Sequence, residues 1–292
     1  MTERVLSSAP GTTALFLRAA AALVPGASAL PFVAGGGGEI PDLELVQTDV
    51  EVDRGRLAAY DRVCGFTLRD ELPSTFIHVL AFPLHLALIT DGRFPFPAAG
   101  LVHIENRITQ HRPARLGERL SIRVRASALE AHPRGRQFSV ISEARVGQEL
   151  VWEEVSVNLR VESAGGERPA ARGGSADELP LTAEWRLPGD LGRRYASVSG
   201  DHNPIHLHAL TAKLFGFPAA IAHGMWTKAR SLAALEGRLP DAYTVEVSFR
   251  RPILLPGRVA FGELPDGGGQ ISFGVRDVRK GSSHMVGSVR AV

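Results

Sequence analysis

A single cysteine, Cys64, stands among the 292 residues, so no disulfide can close within the chain. There is no CxxC pair and no Cys/His finger spacing, which excludes a structural zinc finger and fits a reducing, cytoplasmic compartment. Charge of one sign is also lacking. The 33 Lys and Arg nearly balance 31 Asp and Glu, for a net charge of +2, so the protein-wide field expected of a nucleic-acid binder is missing. Long apolar runs are missing too. The nearest is Thr13 to Val24 (TALFLRAAAALV), with Arg4 ahead of it and small residues at Ala27 to Ala29 behind, in the manner of a signal peptide. Arg18 interrupts that run, and an amphipathic helix packed on the following domain accounts for it better. A soluble protein without stable membrane insertion is expected.

What the chain does have is ordinary for globular proteins, 44% hydrophobic and 22% charged residues, at a length that allows two cores. Two breaks divide it. Gly35 to Gly38 and Pro41 follow the first helix, and Gly165 to Pro180 (GGERPAARGGSADELP) shows no apolar periodicity. The expected organisation is an N-terminal helical extension over 1–42, one unit over 43–164, a linker over 165–180 and a second unit over 181–292.

The two units look like copies. In the second, Tyr243, Val245, Val247 and Phe249 alternate with polar residues, the period of a half-buried strand. Strands over Arg258–Glu263, Gln270–Val278 and His284–Val292 follow, separated by Pro/Gly turns. The first unit repeats this with Leu101–Thr109, Arg119–Ala126, Arg136–Val146 and Leu150–Val161, the last placing Val155, Val157, Leu159 and Val161 on one face. Ahead of each strand set lies a helical region, and Tyr60, Val63 and Gly65 share the spacing of Tyr195, Val198 and Gly200. An α+β class follows, each half being helices and then an antiparallel sheet around a long helix. In the second half that helix runs from Gly224 to Leu239, stopped by Pro240.

Four of the ten histidines fall in one stretch, YASVSGDHNPIHLHALTAKLFGFPAAIAHGMW, from Tyr195 to Trp226. Asp190 is placed to cap a short helix through Ser197. Gly200 turns the chain out of it, and Asp201 to His206 form a loop braced by Pro204. A carboxylate and an imidazole converging from one loop suit proton transfer near neutral pH. Further on, Gly224 opens the apolar helix, where backbone N–H groups have no partner within the helix; a bare glycine lets a thioester carbonyl approach such a donor. Removing a proton α to a carbonyl and expelling a β-hydroxyl as water needs this combination and no redox cofactor. His202 and His206 have metal-ligand spacing, but Pro204 between them argues against a helix and no third ligand is evident. His223 is read as fixing the loop before the helix. Ser199 and Tyr195 orient or pack that loop, since no G-x-S-x-G elbow surrounds the serine. Arg193, Arg194, Lys213, Lys228, Arg250 and Arg251 are candidates for contacts to coenzyme A phosphates or an acidic carrier protein.

The segment Y-A-x-V-S-G-D-x-N-P-I-H (Tyr195 to His206), with A-x-x-x-G-F (Ala212 to Phe217) and I-A-H-G-M (Ile221 to Met225), resembles the signature of MaoC-like (R)-specific enoyl-thioester hydratases and (3R)-hydroxyacyl-thioester dehydratases. The segment His103 to Pro113 is similar to the first repeat of family members that fuse two hot-dog repeats, among them dehydratases of fatty-acid elongation. The resemblance implies a double hot-dog fold with only the second repeat carrying the signature, a lyase activity on an acyl-CoA or acyl-carrier-protein thioester, and no cofactor or metal. It implies Asp201 and His206 as catalytic pair, Asn203 as a support that orients them, and Gly224 as the carbonyl-binding amide. Against it stand a hot-dog thioesterase, in which Asp201 activates water, and a non-catalytic acyl-binding partner subunit. In the first repeat Phe66 stands opposite Asp201. If Leu80 to Leu84 aligns with Ile221 to Met225, Pro83 stands opposite Gly224, and that repeat is expected to widen an acyl-chain tunnel. A homodimer is expected.

Overall fold

The computed structural model describes residues 2–22, 34–35, 38–162 and 179–292. Its strands are β1 (Thr2–Leu6), β2 (Leu43–Val50), β3 (Leu101–Gln110), β4 (Leu120–Ala126), β5 (Glu130–His132), β6 (Gly135–Val146), β7 (Glu149–Val161), β8 (Leu181–Leu187), β9 (Tyr243–Phe249), β10 (Gly257–Pro265), β11 (Gln270–Asp277) and β12 (Ser283–Ala291). The helices are α1 (Thr12–Ala21), α2 (Arg54–Cys64), α3 (Ser74–Ile89), α4 (Leu191–Ser199), α5 (Pro204–Leu207), α6 (Ala209–Leu214) and α7 (Gly224–Leu235). All strands join one sheet in the order β1-β2-β4-β6-β7-β3-β9-β12-β11-β10-β8, with β5 paired to β6. The alternating segments of both halves form strands where their periodicity puts them.

The sheet order displays the duplication. From the outside inward the first half runs β2-β4-β6-β7-β3 and the second β8-β10-β11-β12-β9, and the antiparallel pairing of β3 with β9 joins them. Each half is one strand, then helices, then four main strands, with the short β5 added in the first half. The leading strands β2 and β8 were not anticipated, nor was β1, which pairs parallel to β2 at the sheet edge. Among its described residues, the expected helical extension over 1–42 holds a strand and then α1. Residues 165–178 of the expected linker lie outside the described residues.

The two long helices, α3 and α7, pack over the sheet, with Phe76, Val79, Leu84 and Leu88 of α3 and Ala229, Leu232 and Leu235 of α7 buried in a shared core. Burying that many apolar side chains, at ~25 cal/mol per Å², is what holds each helix to its sheet. After Leu235 a 3-10 turn over Glu236–Arg238 continues α7 toward the expected end at Leu239. No helix among the described residues is long and apolar enough to cross a membrane.

The helices also fix the register between repeats, and here one alignment is corrected. An isolated bridge at Glu71 precedes α3 as one at Ile221 precedes α7, and each helix starts three positions after its bridge. Ser74, not Pro83, therefore stands where Gly224 stands. Pro83 sits inside α3, tolerated although it removes a helical hydrogen bond. The match of Phe66 with Asp201 holds: Gly65 and Gly200 both close a helix in the left-handed conformation, φ 84° and 78°, the geometry that favours glycine.

Candidate active site

Helix α4 ends at Gly200 and delivers the chain into the loop that carries Asp201. Asp190 occupies the N-cap position of α4 without a side-chain cap bond, so its expected capping role is not seen. The loop is tied by side-chain bonds between residues two apart. The Ser199 Oγ accepts from the Asp201 N–H at 3.2 Å, and Asp201 Oδ1 accepts from the Asn203 N–H at 3.1 Å. Asn203 then caps α5, its Oδ1 accepting from the Ile205 N–H at 3.4 Å, with Pro204 at the first helical position. The support that Asn203 gives is thus to the short helix that presents His206.

His206 is buried, 8% exposed, and its Nδ1 lies 2.8 Å from the Ile221 carbonyl oxygen. A carbonyl only accepts, so Nδ1 carries the proton and the neutral ring keeps a bare Nε2 lone pair. Burial lowers the His206 pKa below the ordinary histidine value, opposed by the Asp201 charge, which keeps the ring neutral at pH 7. His223 stacks on His206 at 3.7 Å between ring centroids and donates its Nε2–H to the Asp201 carbonyl at 3.0 Å. Its own pKa is pushed down to about 3, by burial first and then by the neighbouring His206. His223 therefore fixes the Asp201 loop as a neutral donor. Tyr195 packs its ring 4.8 Å from His223 and 6.2 Å from Tyr60, its counterpart in the first repeat.

Gly224 is the first residue of α7, so its N–H has no partner within the helix. The reason for a glycine differs from the expectation of a close ligand. A Cβ there would lie 3.0 Å from the Phe249 ring, so the bare position is filled by Phe249 of β9. A second glycine went unnoticed in the sequence: a Cβ on Gly192 would overlap the His206 carbonyl oxygen, so this residue allows α4 and α5 to touch. Its signal was a glycine in the first turn of a helix, where propensity disfavours it.

Of the anticipated residues, Asp201, His206, His223, Ser199, Asn203, Tyr195 and Gly224 assemble around this loop and helix start. His202 is exposed, its Nδ1 3.1 Å from the Gly200 carbonyl oxygen. The absence of a third ligand beside His206 is corrected: Asp201, His206 and His223 bring ligand atoms within 4.8 Å of one another, close enough for a metal ion. One nitrogen of each histidine is already spent on a carbonyl, leaving His206 Nε2 and His223 Nδ1 as lone pairs.

A second polar cluster went wholly unforeseen, under α3. His78 Nδ1 donates to Glu154 Oε1 at 2.7 Å, and Asn106 Nδ2 donates to the same oxygen at 2.6 Å. Asn106 in turn accepts from Lys228 of α7, whose ammonium also donates to the Asn106 and Val245 carbonyls at 3.3 Å each. His85 Nε2 lies 3.7 Å from Glu154 Oε2, and His78, His85 and Glu154 form another trio with metal-binding spacing. Burial alone would raise the Glu154 pKa, yet His78, by charge and hydrogen bond, holds it down at about 2. Lys228 is 0% exposed, and burial pulls its ammonium down to about 7. The expected role of Lys228 in phosphate binding is excluded.

Comparison with known proteins gives the family. A model of the MaoC like domain matches residues 175–287. A 3-hydroxyacyl-thioester dehydratase X of Mycobacterium tuberculosis is 36% identical over 256 residues, covering 87% of this chain and 91% of that protein. The chain belongs to the MaoC-like dehydratase family. Among solved MaoC-like structures, HtdX of M. tuberculosis superposes with a TM-score of 0.76 at 36% identity, covering 85% of this chain and 100% of that one. A MaoC-like dehydratase of Phytophthora capsici shares the fold at a TM-score of 0.66 and 19% identity, over 85% of this chain and 95% of that one.

Proposed function

We infer that this MaoC-like protein interconverts (3R)-3-hydroxyacyl thioesters and trans-2-enoyl thioesters in fatty-acid metabolism, with Asp201 and His206 as its acid/base pair. The observation that carries this reading is the tautomer of His206: its proton faces the Ile221 carbonyl, leaving a buried, neutral Nε2 beside the Asp201 carboxylate. In dehydration the pair removes the C2 proton and delivers a proton to the C3 hydroxyl. The C3–O bond breaks, the C2–C3 double bond forms and water leaves. The Gly224 N–H at the α7 N-terminus is the donor for the thioester oxygen as enolate charge develops. Ser199, Asn203 and His223 hold the loop, with Tyr195 packed behind His223.

The reading includes a first unit over 43–164 without catalysis, a catalytic unit over 181–292, an acyl-CoA or acyl-carrier-protein substrate, a cytoplasmic location and a homodimer. Its test is product analysis. Incubation with crotonyl-CoA, a longer trans-2-enoyl-CoA and the matching carrier-protein thioesters is followed by enoyl absorbance and chiral chromatography. Water added at C3 to give the (3R)-alcohol is the expected result. Release of free thiol would make the protein a thioesterase, and survival of every substrate would make it a binding subunit.

A further inference from the structure

Helix α1 lies across the seam between the repeats. Strand β1 holds its leading end at the sheet edge, Thr2 N–H donating to the Asp42 carbonyl at 3.0 Å and β1 pairing with β2 throughout. Thr12, at the start of α1, comes against the catalytic loop, close enough that a Cβ on Gly200 would be 3.7 Å from its methyl group. One turn on, the Phe16 ring meets His202, the neighbour of Asp201, edge-on at 6.4 Å, and Phe82 of α3 at 6.5 Å. Leu15 anchors the helix in the body of the protein while Leu17 is exposed.

These contacts bridge two places that no other described aromatic pair connects: the catalytic loop of the second repeat and the long helix of the first. Behind Phe82 the interior turns polar, since its ring neighbours the buried His78, 6.3 Å away, which is bonded to the buried Glu154. On the other side of Gly224, Phe249 packs on His103 at 4.9 Å. An acyl chain running from the Gly224 amide along the seam toward the first repeat thus meets Phe16 and Phe82 as apolar wall before it meets ionised groups, which hydrocarbon does not solvate.

We propose that Phe16 of the N-terminal helix is a specificity-determining residue that, with Phe82, closes the acyl pocket and sets the chain length accepted. The proposal rests on the acyl-thioester reading above. The expected substrate class is short-chain thioesters, with longer ones rejected at this wall.

The test measures binding and turnover in parallel on the full-length protein, so that the two readings fail separately. Dissociation constants for saturated butyryl-, octanoyl- and dodecanoyl-CoA are taken by calorimetry, beside kcat/KM for the corresponding trans-2-enoyl-CoA esters. The variants are Phe16→Ala, Phe16→Trp and, on the exposed face of the same helix, Leu17→Ala. One methylene more or less in an apolar pocket changes discrimination by ~10-fold or more. Phe16→Ala should therefore raise the dodecanoyl-to-butyryl affinity ratio by at least ~10-fold, Phe16→Trp should lower it, and Leu17→Ala should leave it unchanged. Ratios equal to wild type in both Phe16 variants, an equal shift in Leu17→Ala, or no binding of any acyl-CoA overturns the proposal. Chain-dependent binding without turnover leaves the role of Phe16 standing and overturns the dehydratase reading instead.

Discussion

The two helix starts, Ser74 in the first repeat and Gly224 in the second, occupy matching places and do opposite things. At α3 the side chains of the helix start are bonded within the protein. Ser74 Oγ accepts from the Tyr243 hydroxyl at 2.8 Å, the Ser74 carbonyl accepts from Trp152 Nε1 at 2.9 Å, and Thr75 Oγ1 accepts from the Tyr60 hydroxyl at 2.9 Å. Phe66 stacks on Tyr60 where the other repeat has its carboxylate. At α7 the loop presents Asp201, half-buried, and the free Nε2 of His206. The two repeats share one core, and at α3 the place that matches the α7 site is filled by packing and hydrogen bonds across the seam. Residues Tyr243 and Trp226 show the exchange: each reaches across, to Ser74 and to the Val63 carbonyl, to hold the other repeat.

The sharpest way to break this comparison is to move the chemistry. His206→Ala should cost ~10³-fold in kcat, the range for losing a positioned acid or base, with an unchanged melting temperature within a few degrees. Phe66→Asp should return no activity in that background, because Ser74, Thr75 and Tyr60 seal the helix start behind it. Recovery of turnover in the double variant would show a second working site.

Next in size is the cluster that joins the repeats. Glu154→Gln removes the carboxylate that His78 and Asn106 share, and taking the charge out of a buried network costs ~3–5 kcal/mol; urea unfolding should show this. A loss below 1 kcal/mol would mean that the cluster contributes no more than a neutral hydrogen bond. Smaller again is Tyr243→Phe, which unpairs the Ser74 hydroxyl for ~1 kcal/mol and should leave kcat unchanged.

Acid stability gives the last comparison. His85 is held down at about 4 and His223 at about 3, in both cases first by burial. Both folded values lie below the ordinary 6.5, so their contribution is complete above pH 6.5 and is lost as pH falls through that value toward 4 and 3. At ~1.4 kcal/mol per pKa unit, His85→Gln should flatten the slope of stability between pH 6.5 and 4, measured by denaturant titration at each pH. An unaltered slope would show that His85 is not neutral in the fold.

How much of this was legible follows from where apolar residues reveal their surroundings. Strands β9 to β12 were visible because Tyr243, Val245 and Val247 alternate with polar neighbours, and the Asp201 loop because its residue order is specific. The phase of α3 was not visible, since Phe76 to Leu88 are apolar nearly all round and no stripe marks the helix start. Periodicity says least in β7. Val155, Val157, Leu159 and Val161 share one face as expected, but only Leu159 of them is buried, whereas Trp152, Glu154 and Ser156 on the other face are buried. A carboxylate in a core is invisible to hydropathy, because what pays for it, His78 from α3 and Asn106 from β3, comes from elsewhere in the chain. The leading strand β8, with Trp185 and Leu187 buried on one face, was hidden by its position directly after the linker.

The central claim, that one carboxylate on the second repeat's loop runs the reaction, is tested most directly by Asp201→Asn. The substitution keeps an oxygen able to accept from the Asn203 N–H and removes the charge beside His206. Hydration of crotonyl-CoA followed by enoyl absorbance should fall to background in this variant while its melting temperature stays at the wild-type value. Turnover within ~10-fold of wild type, far short of the ~10²–10⁴-fold loss expected on removing an acid or base, would contradict the account.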